Sequence, residues 1–271
     1  MISTHLNNQL ARSAAWLERL PPEQWSVYKA VMTRARRSGL QFAVGGGFAT
    51  MAYTGQWRDT KDIDLFILER DKDAMIRILA DSGLVDYYDQ QAYERHWIYR
   101  SYKDEVIVDV IWAMANRRAV VDEGWLHGPE VEADGERFRL VPAEETLWSK
   151  LYVLQRDRCD WPDGLSLIYS MGTDLNWRRL LERVDEDAPL LSALLSVFGW
   201  LCPDRARELQ PWLPNELGAK LARTQAHLVG EANRASLLDS RPWFPPGEDE
   251  QQIRRFVRAS LEACIQIGNA F

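Results

Sequence analysis

Three aspartates in the first half of the chain stand at spacings that could bring carboxylates together. Asp62 and Asp64 are two residues apart at the start of an apolar run that ends at Leu68. In a β-strand, side chains at that spacing leave the same face. Asp109 stands inside the apolar stretch 106–112, where an unpaired, ionised carboxylate is costly to bury. If the two strands are neighbours, about 4.8 Å apart, the three carboxylates converge on one site.

Such a carboxylate cluster requires a cation, because like charges this close repel one another. Hard oxygen ligands suit Mg²⁺ or Mn²⁺, which proteins bind through carboxylates together with substrate phosphates. The spacing therefore predicts a divalent-cation site with Asp62, Asp64 and Asp109 as ligands.

A run of three glycines lies between the apolar residues 40–44 and a helical pattern that ends at Gly55. Without a Cβ, the backbone at Gly46 and Gly47 can approach a phosphate closely, and the N–H groups of a helix start point toward such an anion. Taken alone, three glycines more often form a tight turn that serves packing. Arg58 and Lys61, just before the acid pair, could neutralise a triphosphate, or could be solvated loop charges.

Two kinds of pattern surround these residues. Up to about residue 141, helical periodicity alternates with short apolar runs, and the second half has helical periodicity almost throughout. Strands are predicted at 40–44, 62–68, 96–102 and 105–112, with a hairpin over 131–141 and helices at 21–38, 48–55 and 71–81. We therefore expect an α/β fold with a small mixed β-sheet and flanking helices in 1–141, an all-helical domain in 142–271, and the active site in the cleft between them.

The glycine and aspartate motifs together resemble the DNA polymerase β-type nucleotidyltransferases over residues 40–112. The resemblance is to the branch that includes abortive-infection toxin-like enzymes and antibiotic nucleotidyltransferases. It implies a nucleotidyltransferase fold, a catalytic acid set on Asp62, Asp64 and Asp109, and NTP contacts from Gly46, Gly47, Arg58, Thr60 and Lys61. Many relatives carry Ser after the first glycine, whereas this chain has Gly47, so backbone N–H groups would replace that hydroxyl.

A fainter similarity covers residues 141–150, which open the helical half. In similar proteins this segment carries a Lys that faces the active site, which implies a catalytic role for Lys150. Its spacing with Leu147, Leu151 and Leu154 is also that of the flank of an apolar helix stripe. Asp160 and Asp163 either start the next helix, as acidic first-turn residues do, or orient Lys150 or Arg156.

The reaction implied is transfer of NMP from an NTP to an acceptor hydroxyl, with release of pyrophosphate. Mg²⁺ or Mn²⁺ would bind at the acids, with a second metal bridging to Asp109, which could also serve as the general base. The acceptor stays open among a small antibiotic-like compound, a tRNA end and a protein side chain. The alternative is a catalytically inactive binding or regulatory module of a toxin–antitoxin type pair, although such a module would be expected to lose at least one costly acid.

Composition limits the partners and the cellular compartment that we expect for this chain. The net charge of −7 argues against a protein whose main function is nucleic-acid binding, although a tRNA partner stays possible. No apolar run of about 18 residues is present, so no membrane partner is expected. Three widely spaced cysteines favour neither a disulfide framework nor a zinc site, and we expect a cytoplasmic protein.

Overall fold

The computed structural model describes residues 19–57, 59–115, 118–154 and 158–224. The described residues fall into two compact units, one up to Pro142 and one from Ala143 onward. No helix within these ranges is both long enough and apolar enough to span a membrane.

The first unit alternates helices and strands. Its helices are α1 (Pro22–Arg37), α2 (Gly46–Thr54) and α3 (Lys72–Asp81). Its strands are β1 (Ala43–Val44), β2 (Asp62–Phe66), β3 (Val85–Asp86), β4 (Ile98–Lys103), β5 (Val106–Ile111), β6 (Glu130–Ala133) and β7 (Glu136–Leu140). These elements match the predicted ones except for β3, whose two residues are too short to produce an alternating pattern.

The seven strands form one mixed sheet in the order β3-β4-β5-β2-β1-β7-β6. The β2–β5 and β1–β7 pairs are parallel, and the other neighbours are antiparallel. The two strands that carry the aspartates are therefore neighbours near the middle of the sheet, as the sequence argument required. The predicted α/β class with a mixed sheet and flanking helices is confirmed.

Helix α2 is buried in the core of the first unit. Most of its side chains are buried, including Phe48, whose ring meets Tyr28 of α1 edge-on at 5.8 Å between centroids. The Tyr53 hydroxyl donates to the Val141 carbonyl at 2.8 Å. The helix ends at Gly55, which has a φ of 70°, a left-handed conformation that favours glycine. The glycine run before β2 is thus held in place by a buried helix.

The elements of the second unit are helices. They are α4 (Ala143–Leu151), α5 (Trp161–Met171), α6 (Trp177–Val184), α7 (Ala188–Leu201), α8 (Pro203–Arg207) and α9 (Leu213–Thr224). Gly164 of α5 lets this helix pack closely, since a Cβ there would lie 3.3 Å from side-chain atoms of both Leu147 and Leu194. Three helices therefore share one apolar core, in agreement with the predicted helical character.

Candidate active site

The three aspartates lie on one region of the sheet, at different depths. Asp62 and Asp64 share a face of β2, and Asp64 is the direct partner of Asp109 in the parallel pairing with β5. The Asp62 side chain is 35% exposed and that of Asp109 only 1%, while Asp64 is half-buried. Two acids thus remain within reach of solvent, and the third is enclosed.

Arg100 of β4 binds the enclosed acid. It is the cross-strand partner of Asp109, and its Nε and Nη2 donate to the two oxygens of Asp109 at 2.8 and 2.5 Å. Its Nη2 also lies 3.4 Å from Asp62 Oδ2. Burial lowers the pKa of Arg100, but the neighbouring carboxylates, Asp109 first, outweigh it and leave that pKa above its ordinary value. Arg100 is therefore a fixed positive charge among the acids.

Arg100 was not among the predicted site residues. The hairpin turn between β4 and β5 pairs Lys103 with Val106. Counting outward from a two-residue hairpin connection sets the register of the whole ladder. With the observed connection at 104–105, that count places residue 100 opposite residue 109. The predicted strand ends at 102 and 105 would instead have placed residue 100 opposite residue 107, so the pairing required the observed turn.

Thr60 orients the more exposed acid. Its hydroxyl donates to Asp62 Oδ1 at 2.7 Å, while Gln24 donates to the Thr60 carbonyl at 3.0 Å and to the Tyr28 hydroxyl at 2.7 Å. Burial raises the pKa of Tyr28 well above its ordinary value; the bond from Gln24 opposes this, and the nearby acids add to it. Tyr28 is thus a neutral support beneath the loop that carries Thr60.

Gly46 makes room for the middle acid. It begins α2 with a φ of 52°, and a Cβ at this position would collide with the Asp64 carboxylate. The Gly45 N–H also donates to the Asp64 carbonyl at 2.9 Å. The predicted glycine run therefore brings the start of a helix against the acid pair, with buried Gly47 in its first turn.

The remaining predicted contacts of the first unit are in the loop before β2. Lys61 is exposed there, and its carbonyl accepts from the Ile107 N–H at 3.2 Å. Arg58 lies outside the described residues. Lys61 directly precedes Asp62 in the chain, and its contact with a triphosphate stays a prediction.

Lys150 belongs to the second unit and is buried there, 5% exposed. Its Nζ lies 2.7 Å from Asp160 Oδ2 and 3.0 Å from Asp163 Oδ2. Burial raises the pKa of Asp160, but Lys150 and then Arg158 outweigh it and leave that pKa below its ordinary value. The Asp160 side chain makes no capping bond at the start of α5. The structure bears out both roles considered for Asp160 and Asp163: they stand at the start of α5, and they hold Lys150 in place.

The donor set of Asp62 and Asp64 fits one divalent cation. Two carboxylates on one strand face, next to glycines at a helix start, are oxygen ligands of the kind that bind a cation together with substrate phosphates. Across the described residues, no group of three or more His, Cys, Asp and Glu side chains is arranged to hold a metal ion. This agrees with the engagement of both Asp109 oxygens by Arg100. A metal-ligand role for Asp109 stays a prediction.

Comparison with known proteins identifies the family. A family model described as a nucleotidyl transferase of unknown function (DUF2204) matches residues 25–191, which is more than half of the chain. No curated protein matches the sequence.

Several solved structures are distantly similar. The solution structure of the antibiotic-resistance factor ANT(2'')-Ia is 16% identical with a TM-score of 0.40, covering 77% of this chain and 100% of that one. The lincomycin-bound lincosamide antibiotic adenylyltransferase LnuA is 16% identical with a TM-score of 0.40, covering 55% and 96%. JHP933 from Helicobacter pylori is 14% identical with a TM-score of 0.37, covering 76% and 97%. The family match, and not these distant similarities, carries the assignment.

Proposed function

This chain belongs to the nucleotidyl transferase family DUF2204, and we propose that it transfers NMP from an NTP to an acceptor hydroxyl. The observation that carries the proposal is the contact of Asp64 with the glycine that begins α2. Carboxylates that can hold a cation and N–H groups that can hold a phosphate meet at this point. These are the two kinds of group that a triphosphate needs.

The residues of this chain would mainly position and neutralise the donor. Mg²⁺ or Mn²⁺, bound by Asp62 and Asp64 with triphosphate oxygens, would offset negative charge and polarise the α-phosphate. Thr60 holds the Asp62 carboxylate in one orientation, and the backbone at Gly46 and Gly47 would receive phosphate oxygens. Lys61 would meet the triphosphate from the loop, and we propose the same for Arg58.

The transfer itself is an in-line displacement. The acceptor oxygen bonds to the α-phosphorus, the bond from that phosphorus to the bridging oxygen breaks, and pyrophosphate leaves while the hydroxyl proton is released to solvent. Positioning and charge neutralisation supply most of the catalysis in such reactions. Asp109 is unsuited to be the base, because it is enclosed and an arginine binds both of its oxygens. We assign it an anchoring role.

We also propose that Lys150 supplies a catalytic positive charge to the triphosphate. The support is the sequence resemblance in residues 141–150 and the fixed position that Asp160 and Asp163 give its ammonium.

We propose a cytoplasmic location, because widely spaced cysteines and an NTP donor suit a reducing compartment. The acceptor, whether a small hydroxyl compound, a tRNA end or a protein side chain, is left to experiment.

The deciding experiment is a labelling reaction with two positions of label. The purified chain is incubated with Mg²⁺, a cell extract separated into small-molecule, RNA and protein fractions, and each NTP carrying label at the α- or the γ-phosphate. We expect α-label to enter one fraction, γ-label to be released as pyrophosphate, and neither event with the isosteric Asp64→Asn variant. Incorporation of γ-label would indicate a kinase, and absence of α-label from every fraction would favour a non-catalytic module.

A further inference from the structure

The cluster of acids already contains a cation. Three carboxylates formally carry three negative charges, and the guanidinium of Arg100 returns one positive charge. The remaining net charge of the cluster is the charge that one divalent ion neutralises. Arg100 donates to both oxygens of Asp109 and approaches Asp62, so it lies where a cation shared by these two acids would lie.

The structure around Arg100 holds it in this place. Its backbone N–H donates to the Tyr93 hydroxyl at 3.1 Å, and that hydroxyl lies 3.0 Å from Asp86 Oδ1. Tyr93 is fully buried. The guanidinium carbon lies 5.8 Å from the ring centre of Tyr87, within the range of cation–π attraction. The arginine side chain is only 13% exposed, so it is a built part of the site and not a surface residue that happens to touch it.

A guanidinium and a metal ion bind a carboxylate in different ways. Its planar fork matches a carboxylate with two parallel hydrogen bonds. It therefore fixes the orientation of Asp109 next to Asp64 and holds a positive charge against both Asp109 oxygens, where it would repel a second metal ion. Such a charge is permanent, whereas a bound metal ion must be recruited.

We propose that Arg100 is the resident cation of this site, so that the chain binds one divalent ion, at Asp62 and Asp64, and not two. Arg100 is thus a positioning residue that replaces a second metal by holding Asp109 and one side of Asp62. The inference rests on the proposed function only in requiring that Asp62 and Asp64 bind a divalent cation. It replaces the expectation that Asp109 ligates a second ion.

Mn²⁺ binding tests the proposal without reference to catalysis. Electron paramagnetic resonance would count the Mn²⁺ bound per chain in the presence of a non-hydrolysable NTP analogue, and would detect coupling between two ions about 4 Å apart. The wild type is expected to bind one uncoupled ion. Arg100→Met frees the Asp109 oxygens and is expected to bind a second, coupled ion, which the double variant with Asp109→Asn should lose.

Arg36 provides the matched control. It forms the same two-bond pair with a buried carboxylate, donating to the two oxygens of Glu136 at 3.0 and 3.2 Å, but Glu136 lies on β7 away from the acids. Arg36→Met should leave the Mn²⁺ count at one. Any change it causes would show that loss of a buried ion pair, by itself, alters metal binding.

The outcomes separate the inference from the proposed function. Two coupled ions in the wild type would overturn the inference and leave the proposed function intact. A single ion in both the wild type and Arg100→Met would also overturn it. Failure of the wild type to bind any Mn²⁺ would remove the cation site from the proposed function as well. If Arg100→Met does not fold, Arg100→Gln takes its place in the same count.

Discussion

Two buried carboxylates, one in each unit, are both bound by arginine, yet they have different surroundings. Asp109 is 1% exposed and Glu145 is 0% exposed. Arg100 binds both oxygens of Asp109. In contrast, Arg179 and Arg183 both donate to Oε1 of Glu145 at 2.9 Å, and Oε2 has no hydrogen-bond partner among the described residues.

The difference shows what distinguishes a candidate site from a structural ion pair. Glu145 has two cations for one carboxylate and no other acid in its hydrogen-bond set. Asp109 has one arginine, but Asp64 and Asp62 lie beside it. Burial of a charge therefore does not identify a site. Around Asp109 the acids outnumber the arginine, and that excess of negative charge is what the proposed cation would neutralise.

Loss of catalysis should be the largest difference between the two regions. Asp62→Asn removes a proposed cation ligand while keeping its shape, and we expect transfer to fall about 1,000-fold, or ~4 kcal/mol. Glu145→Gln should stay within a few-fold of the wild type. Rates of α-label incorporation test this, with circular dichroism to verify the fold. A comparable loss in Glu145→Gln would remove the distinction drawn above.

The second largest difference between the two regions should be in the free energy of unfolding. Arg100→Met leaves Asp109 buried without its bidentate partner and is expected to cost about 3 kcal/mol of unfolding free energy. Arg179→Met should cost about 1 kcal/mol, because Arg183 still donates to the same oxygen of Glu145. Urea unfolding of the two variants measures both. Equal costs would mean that the two pairs are equivalent in energy.

Gly46→Ala tests the contact between the helix start and the acids. Its Cβ would collide with Asp64, whereas a Cβ at Gly55, which also has a positive φ, would meet nothing within 4 Å. We expect Gly55→Ala to cost about 1 kcal/mol from backbone strain alone, and Gly46→Ala about 2 kcal/mol more. Nucleotide affinity by calorimetry should fall only in Gly46→Ala. Unchanged affinity there would argue against the phosphate contact.

Lys150→Ala tests whether the second unit contributes to catalysis. We expect transfer to fall about 10-fold or more, at least ~1.4 kcal/mol, and Lys150→Arg to retain partial activity because it keeps the charge but changes its shape. Arg158→Ala is the control, since Arg158 also approaches Asp160, at 3.4 Å, but is half exposed. If Lys150→Ala lowers stability and leaves the transfer rate unchanged, the lysine is structural only.

The smallest expected effect is on the pH dependence of stability. Burial raises the pKa of Glu145, although the neighbouring arginines oppose this. The free energy of unfolding should therefore fall as pH rises from the pKa of Glu145 in the unfolded chain, near 4.5, through its higher pKa in the folded chain. The pKa of Asp160 is lowered in the folded chain. Its contribution to the free energy of unfolding is therefore present above the pKa of the unfolded chain, near 3.8, and is lost as pH falls through the pKa of the folded chain. Unfolding of Glu145→Gln and Asp160→Asn between about pH 2 and pH 7 should show slopes that differ from the wild type in opposite directions.

Much of the fold was predictable because its signals are local. Short apolar runs identified the strands that carry Asp62, Asp64 and Asp109, and the glycines marked the start of the buried helix. The two-residue strand β3 was missed, since a pattern of period two needs more residues than that. Lys150 was singled out by resemblance, but its pairing with Asp160 and Asp163 was only one of two options.

By itself, the sequence determined which residue types could perform the chemistry and which strand face they would share, because side chains alternate along a strand with a period of two. Only the tertiary structure decided which charges meet. Arg100 faces Asp109 through strand register, and the arginines of Glu145 come from residues 34 and 38 positions along the chain. Pairing over such distances depends on how packed elements align, and that alignment is set by the whole core and not by any local pattern.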